Sequence, residues 1–166
     1  MAYLRYLAAL VTVGAPLLVG PASAQQDGLV SERNISLNMA RAIADAALET
    51  CRKMGYKISV TVVDRAGLVR ASLRDDDAGI HTLENSQRKA YTAKTFRVST
   101  TEFKRLLAEN PDRAAQTNLS GVIAIPGGLP IKVGDDVVGA VGVSGTPGKD
   151  DVCSQAGIDK ISGLLK

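Results

Sequence analysis

The chain carries one histidine, His81, and it stands between an acidic loop and an amphipathic segment. A histidine at a helix entry can serve as an axial metal ligand, a general base or a pH-sensitive contact. Four acids surround it: Asp75, Asp76 and Asp77 before it, and Glu84 just inside the segment that follows. Hard cations take several carboxylate oxygens, so these four form a candidate surface cation site. They lack the alternating acids and closing Glu of a calcium-binding loop, and a solvated loop whose acids favour the start of a helix accounts for them equally well. Further along, Arg88, Lys89 and Lys94 offer cations to a carboxylate or propionate. Nucleophilic hydrolysis is a poor fit: Gly-x-Ser-x-Gly is absent, and Ser144 lacks the full flanking glycine pattern that motif needs. The glycines of Gly139-Ala140-Val141-Gly142-Val143-Ser144-Gly145 lie inside an apolar run, where a nucleotide loop would not put them. They mark a bulge or a close approach of the backbone to a ligand or to another subunit.

These residues need elements to hold them. Ser36 can cap a helix running to about Met54, with apolar steps of three and four from Leu37 through Cys51 and Gly55 as its stop. Lys57–Asp64 alternates as a half-buried strand, Arg65-Ala66-Gly67 turns, and Leu68–Arg74 is its partner. Helices are predicted over 82–96, from Ser99 (a capping-box spacing to Glu102) to about Ala108, and from Asp150 to about Leu165. Half of the 16 glycines fall between Gly121 and Gly148. Among them lie three β-rich runs, Val122–Ile125, Leu129–Val133 and Val137–Val143, the last apolar enough to be central. The order is α-β-β-α-α-β-β-β-α. Hairpins require an antiparallel sheet, and the helices must cover it, which makes a single α+β domain.

At 166 residues one domain is expected. A net charge of +3, six Tyr and Phe residues and no Trp argue against nucleic acid. Residues 1–24 read as a secretory signal: Arg5, an apolar stretch from Tyr6 to Val19, then Ala22-Ser23-Ala24. That stretch is shorter than the ~20 residues a spanning helix requires, and nothing after it is apolar enough to span. The expected organisation is a leader over 1–24, a flexible segment over 25–35 and a domain over 36–166. The mature protein would be periplasmic or secreted. In such a compartment Cys51 and Cys153 could form one bridge, or remain two buried thiols.

Several runs together resemble the GlcG/HbpS-like haem-binding family. They are Val62-Val63-Asp64-Arg65-Ala66-Gly67, Arg74-Asp75-Asp76-Asp77-Ala78, Arg88-Lys89-Ala90-Tyr91-Thr92-Ala93, Gly127-Gly128-Leu129-Pro130-Ile131, Gly139–Gly145 and Asp150-Asp151-Val152-Cys153. The likeness extends from about Leu37 to Ile161. It implies a profilin-like domain with a mainly antiparallel five-stranded sheet, a homo-oligomer up to an octamer, and haem as cofactor in haem handling or redox sensing. His81 is then the candidate ligand to haem iron, with Thr82 or Thr92 as weaker competitors. Arg88 and Lys89 would neutralise propionates, and attachment would be non-covalent because Cys-x-x-Cys-His is absent. The alternatives are a small-molecule enzyme or accessory of a glycolate- or diol-type pathway without haem, and an oligomeric scaffold. No catalytic residue is assigned.

Overall fold

The structure is a computed structural model that describes residues 28–166, so the leader and its cleavage point near Ala24 lie outside the described residues. The compact unit runs from Glu32 to Lys166. Helix α1 (Leu37–Lys53) starts where the Ser36 hydroxyl accepts from the Met39 N–H at 3.2 Å. It buries Ala40, Ile43, Ala44, Ala47, Leu48 and Cys51 on one stripe. Strands β1 (Ser59–Asp64) and β2 (Val69–Arg74) form the expected hairpin. Its turn is held by Asp64, whose Oδ1 accepts from the N–H groups of Ala66 and Leu68.

Helix α2 (Thr82–Phe96) and helix α3 (Thr100–Glu109) follow. Ser99 caps α3 by accepting from the Glu102 N–H at 3.0 Å. The Glu102 carboxylate pairs with Arg105. A 3₁₀ run covers Pro111–Asn118. Strands β3 (Gly128–Val133) and β4 (Asp136–Ser144) form a second hairpin, and helix α4 (Asp150–Lys160) closes the domain. A 3₁₀ turn at Ser162–Leu164 ends the closing helix earlier than its sequence pattern predicts.

Among the described residues the sheet is four-stranded and antiparallel, ordered β2-β1-β4-β3. The five-strand expectation differs from this at Val122–Ile125, which joins no ladder. Its polar groups go to α2 instead: the Val122 carbonyl accepts from the Arg88 guanidinium at 2.8 Å, and the Ile123 N–H donates to Thr92 Oγ1 at 2.9 Å. Side chains have replaced the neighbouring strand.

Helices cover both faces of the sheet. Helices α1 and α4 share one core with Val60, Val62, Ile131, Val141 and Val143. Cys51 of α1 and Cys153 of α4 are joined by a disulfide inside it, both fully buried. The opposite face carries α2. Strand β1 is buried along its whole length, not half-buried, because α2 covers its Ser59 and Thr61 side. Thr61 Oγ1 lies 2.8 Å from Ser86 Oγ, and Ser59 Oγ lies 2.7 Å from Thr82 Oγ1. Close seating of α2 depends on Gly142 and Gly128. A Cβ on Gly142 would strike the Ser86 carbonyl and the Ala90 N–H, and one on Gly128 would strike the Lys89 carbonyl. These two strand glycines therefore serve helix–sheet contact, whereas a Cβ on Gly139 would strike the Val63 carbonyl of the neighbouring strand. Among the described residues no helix is long and apolar enough to cross a membrane.

Candidate functional site

Three elements meet at the first turn of α2: the loop Gly79–His81, the end of β4 with the loop Gly145–Pro147, and the approach to β1 at Lys57. Between them lies a cleft of about 350 Å³, lined by Lys57, Gly79, His81, Thr82, Asn85, Lys89, Ile125, Ser144, Thr146 and Asp150. Its volume falls at the lower end of the range for small-molecule sites. His81 is exposed and stands at the helix N-cap position, but its ring makes no capping bond. Its imidazole remains available to a ligand.

The buried end of the cleft is ionic. Lys89 is 1% exposed, and its ammonium donates to Asp150 Oδ2 at 2.7 Å and to the Val143 carbonyl at 3.0 Å. Asp150 Oδ1 accepts from the Thr146 N–H at 2.8 Å and from the Thr146 hydroxyl at 3.0 Å. Each charge thus has a close opposite charge and further hydrogen bonds, the condition under which burial is tolerable. The arrangement ties α2 to the end of β4 and the start of α4.

The sequence-predicted residues separate. His81, Thr82 and Lys89 line this cleft. Thr82 is 1% exposed, and its hydroxyl donates to the Gly79 carbonyl at 2.6 Å as well as meeting Ser59. Thr92 is fully buried: it donates to the Arg88 carbonyl and accepts from Ile123. Both threonines are occupied in holding α2, which leaves neither hydroxyl directed at a ligand. Lys89 cannot meet a propionate while Asp150 holds it. Arg88 lines a different cavity, of about 540 Å³, with Gly67, Leu68, Tyr91 and Gly121. Its guanidinium bonds the Val122 carbonyl and lies 3.5 Å from Glu84.

The four acids do not assemble into a cation site. Asp75 is 3% exposed and grips Arg52 through both oxygens, at 2.7 and 3.0 Å. That contact holds its carboxyl below the usual carboxylate range. Asp76 and Asp77 point to solvent, and Glu84 faces Arg88. Among the described residues no three His, Cys, Asp or Glu side chains come together to hold a metal. Sequence reasoning missed Lys57, Asn85 and Thr146 as lining residues. Asp150 appeared there only as a favourable helix start; its partner Lys89 is 61 residues away.

Residues 35–159 match the HbpS-like family, described as haem degrading protein HbpS-like. Protein GlcG of Escherichia coli K12 is 34% identical over 110 residues, which is 66% of this chain and 81% of GlcG. A double mutant of HbpS from Streptomyces reticuli superposes with a TM-score of 0.76 at 31% identity, over 85% of this chain and 96% of that one. The structure of a PduOC complex with haem is similar in fold, with a TM-score of 0.69 at 23% identity, over 76% of this chain and 94% of PduOC.

Proposed function

The chain belongs to the HbpS-like family, and from that premise we propose that it is an exported haem-binding protein whose site is the cleft at the start of α2. One observation carries the reading. The sequence's single histidine is exposed on the wall of that cleft with its ring uncommitted to capping. Imidazole is a common axial ligand of haem iron. The other lining residues fit the same group. Lys57 is exposed on the cleft and is the cation that can meet a propionate, in place of Lys89 and Arg88. Ile125, 44% exposed, supplies apolar contact. Bound haem would bring iron-centred ligand exchange and electron transfer, which suits haem handling or redox sensing.

Export rests on the pattern of residues 1–24 and gains support from the buried disulfide, a bond that persists outside reducing compartments. Self-association is part of the same reading. A cleft of about 350 Å³ covers only part of a porphyrin, and exposed Ile80 and Leu83 beside His81 give a second copy apolar surface to cover.

Haemin titrated into the purified protein should give a saturable shift in the Soret region. His81→Ala should weaken binding by about tenfold or more and change the spectrum, a loss of roughly 1.4 kcal/mol. Absence of saturation removes the haem reading, and an unchanged spectrum in His81→Ala removes the ligand assignment. Light scattering on the same sample should give a mass above one protomer; a monomer at all concentrations removes the oligomer.

A further inference from the structure

The far end of α2 opens on another, separate cavity. It has a volume of about 290 Å³ and is lined by Glu32, Asn34, Arg65, Lys94, Arg97 and Asp136. A helix the length of α2 puts it roughly 20 Å from His81. The charges within it divide unevenly. Arg65 takes both acids, with Asp136 at 2.7 Å and Glu32 at 3.4 Å, and Arg33 adds a contact to Asp136 at 3.5 Å. Lys94 and Arg97 have no carboxylate within ion-pair distance among the described residues.

Lys94 is half-buried, and loss of hydration lowers its ammonium below the ordinary lysine range. Arg97 and Arg65 push in the same direction, and Asp136 and Asp64 offset only part of this. A partly desolvated cation crowded by two guanidiniums is a costly arrangement unless an anion joins it. Arg97 adds an independent cost. It ends α2 in the left-handed region, at φ 60° and ψ 21°. Glycine is the usual residue there, and any other side chain costs about 1–2 kcal/mol. Arg97 is exposed, so core packing does not account for an arginine at this position.

We propose that this pocket binds a compact dianionic oxyanion, either phosphate or a short dicarboxylate, between the Lys94 ammonium and the Arg97 guanidinium, with Arg65 alongside. Lys94 and Arg97 together carry two positive charges with no carboxylate paired to either among the described residues, which a double negative charge matches. The guanidinium fork suits two oxygens of one group. The small volume excludes a bulky ligand. Lys94 belonged to the set Arg88, Lys89 and Lys94 that the sequence offers to a carboxylate, but the structure sends the three to three different surroundings.

The test is calorimetry on the whole protein at constant ionic strength. Inorganic phosphate and malonate are the probes, and acetate is the monoanion control. Saturable binding of phosphate alone identifies a tetrahedral oxyanion, and of malonate alone a dicarboxylate; either supports the site, as does binding of both. Arg97→Gly is the informative variant, because glycine suits that backbone and the fold should lose no melting temperature. It should weaken binding by at least about tenfold. Lys94→Gln should act in the same direction, and His81→Ala should change nothing, which separates this site from the haem reading. The proposal is overturned if neither dianion saturates, if acetate binds as tightly, or if Arg97→Gly and Lys94→Gln keep wild-type affinity.

Discussion

The two faces of the sheet are built on opposite principles. The face under α1 and α4 is apolar and continuous, with 16 buried residues in one cluster and a disulfide within it. The face under α2 has an apolar cluster of only four, Val63, Ala90, Ala93 and Ala140. Its remaining contacts are hydroxyl pairs, backbone laid on glycine, and the Lys89–Asp150 ion pair. The first kind of face tolerates small shifts, since dispersion and burial are non-directional. The second depends on geometry, because a buried polar group that loses its partner keeps its full desolvation cost. The cleft beside His81 and the cavity beside Arg97 lie at the two ends of α2, and the cavity beside Arg88 lies along it. The directional face is the one on which both proposed ligand sites lie.

The comparison can be broken by three measurements of unfolding in urea. The largest effect belongs to the apolar face. Replacing Cys51 and Cys153 with Ala should cost about 4 kcal/mol, because the bridge closes a separation of 102 residues. A loss below ~1 kcal/mol would mean that the apolar packing holds α1 and α4 together unaided. Next comes Lys89→Met, expected to cost roughly 3 kcal/mol by leaving Asp150 charged and buried. Adding Asp150→Leu should recover much of that, since an apolar pair of similar volume needs no partners. If the double variant is worse than the single, the face is not limited by charge burial. The smallest effect is expected for Gly142→Ala. One methyl driven against the Ser86 carbonyl should cost about 1–3 kcal/mol as α2 lifts. A neutral result would show that the helix can float on the sheet, and the contrast between the faces would then be one of composition only.

The apolar face was legible in the sequence and the polar face was not, for a physical reason. The stripe from Ala40 to Cys51 and the Val60–Val62 alternation are periodic signals, and periodicity is read locally. Four strands, the hairpin at Arg65-Ala66-Gly67 and the bounds of α2 follow from such signals. The burial of Ser59 and Thr61 does not, because hydroxyls on one face of a strand also describe a surface strand. Lys89 reads as a cation offered to a ligand's carboxylate until Asp150 arrives from the far end of the chain. Val122–Ile125 has strand composition, yet its partners turn out to be the Arg88 and Thr92 side chains. The family motifs flank the loop that carries His81; only the fold shows that Lys57 and Thr146 share its cleft.

The link between Cys51 and Cys153 has a topological consequence. It makes one covalent ring of the chain from the last turn of α1 to the first turns of α4, with every strand inside it. A protease that cuts once in any exposed loop of that ring, such as the one around Asp76 and Asp77, opens the ring without dividing the molecule. Both pieces stay tethered beside their partners, and the sheet is not released by dilution. The bridge thus gives the fold tolerance to a single cut.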